Sequence, residues 1–239
     1  MHEWQLHSNP NCNTFHELNL LELKYIASGG ARSSFELSED VAGMKKYQFV
    51  YKNFHLDSHE KLKPWMADME RKDALVMGRT SSSPFIQTAF GYCSVASIGE
   101  LMLGSLEQYR LDHRGSVLPI ERLKIAIHLA SALADLHFID KTTTIPSFTH
   151  DDLKENQYLY QDGIFKLGDF NYGKPIYLNE TSHDQCRISY STMWHEYPRH
   201  HLNRALEEHQ MKAESKDFTP VPPDKIDVWM LGKISFILS

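Results

Sequence analysis

Apolar positions along the chain change their period once, near the middle. Leu21, Leu23 and Tyr25 alternate as on a strand, and Ser28-Gly29-Gly30 then turns the chain. Phe35–Leu37 and Gln48–Phe54 read as further strands, with a polar loop around Ser38–Lys46 between them. Pro64–Met77 has helical spacing, with Trp65, Met69, Ala74 and Met77 apolar, and the cluster Thr80-Ser81-Ser82-Ser83-Pro84 ends it. Two short strands are expected at Phe85–Phe90 and Ser94–Leu101. Helical spacing then takes over: Pro119 opens a long amphipathic segment through His137, with Ile120, Leu123, Ile127, Ala130, Ala134 and Leu136 on its apolar positions. Tyr158–Tyr160 and Phe165–Leu167 are short strands, and Pro220, Pro222 and Pro223 precede a final helix over Ile226–Leu238. The pattern predicts an α+β chain: a polar tail over 1–19, a strand-rich half over 20–101, and a helix-rich half over 102–239.

Composition narrows the classes. A chain of 239 residues, 41% hydrophobic and 23% charged, is long enough for one large domain or two small lobes around a cleft. A net charge of −6 argues against nucleic acid as a main partner, and Lys45-Lys46 and Arg199-His200-His201 are too small to reverse that. The fourteen histidines are scattered. Cys12, Cys93 and Cys186 form no CxxC pair and read as free thiols in a reducing compartment. No apolar run approaches a membrane span, and the polar start lacks a signal-peptide core. The cytoplasm is therefore the expected compartment.

The chemistry concentrates in two acidic turns, Thr149-His150-Asp151-Asp152-Leu153-Lys154-Glu155-Asn156-Gln157 and Gly168-Asp169-Phe170-Asn171. Phosphoryl transfer asks for this: one carboxylate to take or orient the acceptor's hydroxyl proton, another to hold Mg²⁺ on the nucleotide phosphates. Taken alone, the turn Ile26–Ser34 reads as a plain hairpin, and Lys52 or Asp73 as a solvated surface charge. His195-Glu196-Tyr197-Pro198-Arg199-His200 misses the zinc-protease spacing by one residue, and Pro198 would break the helix that the motif needs.

In order and spacing, the two turns resemble the catalytic loop and metal-binding turn of eukaryotic-type protein kinases. Phe49-Val50-Tyr51-Lys52 is similar to the strand lysine motif, and Ser28, Gly29 and Gly30 stand in the glycine-rich turn, where Ala27 and Arg32 replace two glycines. Asp227-Val228-Trp229 resembles the helix opening whose Asp caps the catalytic loop, and Arg204–Glu208 the segment closing the activation region. The resemblance implies a bilobal fold, with a small antiparallel sheet plus one helix, then a helical lobe incomplete at its C-terminal end. It implies ATP and Mg²⁺ as cofactors and a protein Ser/Thr hydroxyl as acceptor. Lys52 would grip the phosphates and pair with Asp73, Glu70 being the runner-up. Asp152 would be the base, Lys154 would neutralise the transferred group, and Asp169 with Gln157 would hold the metal. His150 would be a packed core imidazole, and Asp151 replaces the arginine that reads a phosphorylated loop. The chain's stop at Ser239 suggests a truncated lobe whose apolar surface a partner covers. The rival reading is a pseudokinase, a binding or scaffold module without phosphotransfer.

Overall fold

The computed structural model describes residues 10–29, 32–39, 47–54, 64–140, 146–176 and 223–238. They combine antiparallel sheets with several helices. Two compact units result, one within Met1–Leu103 that takes in Gly168–Asn171, the other within Gly104–Leu167 and Tyr172–Ser239.

The first unit is built on a five-stranded antiparallel sheet. Its strands are β1 (Lys24–Ser28), β2 (Arg32–Glu39), β3 (Tyr47–Phe54), β4 (Ala89–Cys93) and β5 (Ala96–Glu100), in the order β1-β2-β3-β5-β4. Alternation along β3 sends Tyr51 to one face and Val50, Lys52 and Phe54 to the other. Arg32 sits opposite Phe54, and Ser34 opposite Lys52. Directly paired residues share a face, so Arg32 and Lys52 emerge on the same side of the sheet. The final pair of strands is shifted from the expected ranges, because the reversal falls at Ser94, which adopts φ +56°.

The opposite face is closed by a helix that the polar pattern of 1–19 hides. Helix α1 (Cys12–Glu17) starts at Asn11, whose Oδ1 accepts from the backbone N–H of Asn13 and Thr14 at 3.0 and 3.2 Å. Thr14 Oγ1 accepts in return from Asn11 N–H at 3.2 Å. Phe15 then packs with Tyr51 and Ile98 in a buried cluster. This part of the chain is therefore not a tail. Cys12 and Cys93 form a disulfide, which corrects the free-thiol expectation for both. The chain leading into α1 runs so close over β4 that a Cβ on Gly91 would lie 2.7 Å from the Pro10 carbonyl oxygen. Helix α2 (Pro64–Arg79) matches the helical period found in the sequence.

In the second unit, β6 (Gly104–Ser105), β8 (Tyr158–Gln161) and β9 (Ile164–Leu167) form one sheet, and β7 (Phe148–Thr149) pairs with β10 (Lys174–Pro175). Helix α3 (Leu106–Asp112), absent from the sequence reading, is capped by Ser105 Oγ accepting from Gln108 N–H at 3.2 Å. Helix α4 (Pro119–His137) has Pro at its first turn, and Glu121 accepts from Leu118 N–H at 2.9 Å. Its buried stripe is Ile125, Leu129, Ala132, Leu133 and Leu136. Helix α5 (Pro223–Leu238) buries Ile226, Met230 and Ile234, four residues apart. No helix among the described residues is long and apolar enough to cross a membrane. Gly30, Cys186, His195–His200 and Arg204–Glu208 lie outside the described residues.

Candidate functional site

The expected site residues fall into two groups, one in each unit. In the first, α2 presents Glu70 and Asp73 three residues apart and so on one face. Both are buried, at 5% and 0% exposure. The cation that meets them is Arg32 rather than Lys52. Arg32 Nη1 lies 2.8 Å from Asp73 Oδ2 and 2.6 Å from Glu70 Oε2, while Nη2 reaches Asp169 Oδ1 at 3.2 Å. The Glu70 contact is ionic only, since its Oε2 lacks an aligned hydrogen bond. Asp73 Oδ1 also accepts from the backbone N–H of Phe170 at 2.7 Å, which ties the Asp169-Phe170 turn to α2. Asp169 holds φ +65°, a region that Asp enters more readily than most residues.

Lys52 therefore has another partner. Its Nζ donates to Gln87 Oε1 at 3.1 Å, and Gln87 Nε2 donates to the Glu100 carbonyl at 3.0 Å. Gly168 makes room for that amide, because a Cβ there would sit 2.9 Å from Gln87 Oε1. The expected Lys52–Asp73 pair is thus corrected: Arg32, a short planar fork away on β2, spans several carboxylates where one ammonium meets a single acceptor. Among the described residues Gln87 is the one hydrogen-bond acceptor that Lys52 Nζ meets, while Asp73, Asp169 and Glu70 act on its charge. Ser28 and Gly29 are engaged within the hairpin. Gly29 N–H donates to Arg32 O at 2.8 Å, and Ser28 Oγ shares a 2.8 Å hydrogen bond with Ser33 Oγ.

The charges shape one another. Burial opposes the Arg32 charge, but Asp73, Glu70 and Asp169 outweigh it and raise its pKa. Burial and then repulsion from Arg32 push Lys52 below the usual ammonium value. Burial pulls Asp73 upward, yet Arg32 and Lys52 hold it below the usual carboxylate range. For Glu70 burial wins, and its pKa rises to about 7.

The second group is the loop after β7. Asp227 on α5 is fully buried and pins it. Its carboxylate accepts from the backbone N–H of His150 at 2.7 Å and of Asp151 at 2.9 Å, and from His137 Nε2 at 3.0 Å. That is the capping role expected of this aspartate. His150 is fully buried and its Nδ1 accepts from Asp152 N–H at 3.4 Å, as expected of a packed core imidazole. Asp151, at φ +62°, pairs with Lys174 Nζ at 2.6 Å. Asp152 Oδ2 receives Lys154 Nζ at 2.8 Å and Gln157 Nε2 at 3.4 Å. A cavity of about 220 Å³ adjoins this loop, lined by Glu107, Lys154, Glu155, Met230 and Lys233 among others.

Such a loop holds a carboxylate in a fixed place beside an ammonium, a pairing able to accept a hydroxyl proton and to balance anionic charge. Magnesium is expected on Asp169 and Gln157, one residue in each unit, and on the Asp169 side a guanidinium stands where the ion would bind. Asp169 Oδ1 already faces a guanidinium, and Gln157 turns its amide nitrogen to Asp152. Among the described residues, no group of three or more His, Cys, Asp or Glu side chains is placed to hold a metal ion. Sequence reasoning missed Arg32 and Gln87 as members of the first group. Strand alternation puts Arg32 on the face of Lys52, but nothing in the local text of Gln87 marks it. No protein-family model and no curated protein matches this chain.

Proposed function

We propose that the chain is a protein-kinase-like phosphotransferase, moving the γ-phosphoryl group of ATP to a Ser or Thr hydroxyl of a protein. The observation that carries this reading is Asp152: a buried carboxylate with Lys154 at 2.8 Å, on a loop whose backbone Asp227 holds from α5. In the reaction Asp152 accepts the acceptor hydroxyl's hydrogen bond and receives its proton. Lys154 lies beside the anionic charge that develops on the transferred group. Lys52, its geometry fixed by Gln87, binds the nucleotide phosphates.

One observation favours a second reading, a nucleotide-binding module without turnover. The Arg32–Asp169 contact places a protein cation where the resemblance expects a metal. Calorimetry with ATP and a phosphotransfer assay on a mixed Ser/Thr peptide library separate the two, run on wild type, Asp152→Asn and Lys52→Met. The enzyme reading expects Asp152→Asn to lose about 10²-fold or more in turnover with its ATP affinity kept, and Lys52→Met to lose affinity. Wild-type binding without any transfer would establish the module instead, and no ATP binding at all would sink both.

A further inference from the structure

The Arg32 side chain is only 11% exposed, and its guanidinium contacts three carboxylates drawn from two segments, Glu70 and Asp73 on α2 and Asp169 beyond β9. Its backbone is fixed in the β2–β3 ladder opposite Phe54, and its carbonyl closes the hairpin onto Gly29. We infer that Arg32 is a resident counter-cation that competes with a divalent metal ion for Asp169, so that the acidic cluster is blocked to metal until this contact opens. The inference rests on the functional reading in taking Asp169 as the metal's carboxylate.

Geometry and charge carry it. Mg²⁺ binds carboxylate oxygens at about 2.0–2.1 Å and demands near-octahedral order. An ion on Asp169 Oδ1 would share that oxygen with a guanidinium nitrogen 3.2 Å away, a close contact of like charges. Glu70 Oε2 is buried and held by ionic contact alone, so the cluster keeps acceptor capacity that Arg32 does not fill by hydrogen bonding. Lys52 gives its hydrogen bond to Gln87, so it acts on these carboxylates by charge alone. Removing Arg32 takes away the cation that bridges the three carboxylates and leaves Lys52 as their neighbouring charge.

Mn²⁺ alone, titrated by electron paramagnetic resonance, tests this without nucleotide. We expect wild type to take up no Mn²⁺ at the cluster below roughly millimolar concentration. Arg32→Ala should bind it about tenfold tighter or better, and the double variant with Asp169→Asn should return to wild type. Arg32→Ala also strips buried carboxylates of their partner and risks unfolding. Arg32→Lys keeps the charge on a single ammonium that cannot bridge three carboxylates, and it should show a smaller gain in a folded chain checked by circular dichroism. If Arg32→Lys, and Arg32→Ala where it folds, take up Mn²⁺ no more tightly than wild type, the inference is wrong. Tight wild-type binding that Asp169→Asn abolishes overturns it equally. Because the probe is the metal, a failure of ATP binding would count against the functional reading and leave this result standing.

Discussion

Arg32 stands where the resembling motif has a glycine, and that one side chain reorganises every charge around it. A lysine on β3 and an aspartate on α2 make an obvious pair on paper, yet the pair that forms is Arg32 with Asp73. The guanidinium outcompetes because its planar fork serves Asp73, Glu70 and Asp169 together. Burial, and after it the neighbouring carboxylates, keep the Glu70 proton on to about pH 7 against an ordinary 4.5. Between these values the folded chain holds more protons than the unfolded one, so stability falls as pH rises through the window. Glu70→Gln should remove up to roughly 3 kcal/mol of that dependence. Denaturant unfolding of both proteins from pH 4.5 to 7 checks it, and an unchanged slope would refute the assignment. The turns that carry Asp152, Lys154 and Asp169 stand out in the sequence because each is short and contiguous, while the roles given to these residues come from the resemblance. Gln87 does not stand out, because a buried amide between Ile86 and Thr88 looks the same in the text whether or not a lysine reaches it.

At the level of elements, period and caps foretold most helices and strands. Helix α4 begins and ends where Pro119 and His137 say it should, but its inward face is Ile125, Leu129, Ala132, Leu133 and Leu136, and of the expected stripe Ile120, Leu123, Ile127, Ala130 and Ala134 are exposed. Helix α1 escaped because six residues show hardly two turns of period, and its docking depends on Phe15, a disulfide and a glycine 79 positions from Cys12 in β4. Spacing of three cysteines cannot reveal which two meet, whereas the fold brings the Cα atoms of Cys12 and Cys93 to 5.1 Å. The bridge closes a loop of 81 residues, and a disulfide typically lends about 2–4 kcal/mol. Cys12→Ser, or reduction by a small thiol, should lower the unfolding free energy by that amount. Hydrogen exchange should then quicken over residues 10–19. Exchange that stays slow there would show that Phe15 and the Asn11 cap hold α1 without the bridge.

Over the whole molecule, the functional reading makes a thermodynamic demand. ATP at a hundredfold its dissociation constant adds about 2.7 kcal/mol to the native state. For a chain of this length that raises the melting temperature by roughly 5–10 °C. A thermal scan with millimolar ATP that shows no shift counts against nucleotide binding. What the sequence by itself determined is whatever neighbours in the text decide. The α+β class follows from the change of period. The long helix follows from its opening proline and helical period, and each acidic turn is one short contiguous stretch. Tertiary structure alone decided the pairings. It gave Asp73 to Arg32, Lys52 to Gln87, Cys12 to Cys93, and the amides of His150 and Asp151 to Asp227. Each joins segments tens of residues apart. Charge, reach and burial in the folded chain choose among several plausible partners, and no local pattern records that choice. The same cause makes the metal question turn on Arg32. Its sequence neighbourhood reads by itself as a plain hairpin, and only the fold carries its guanidinium to Asp169.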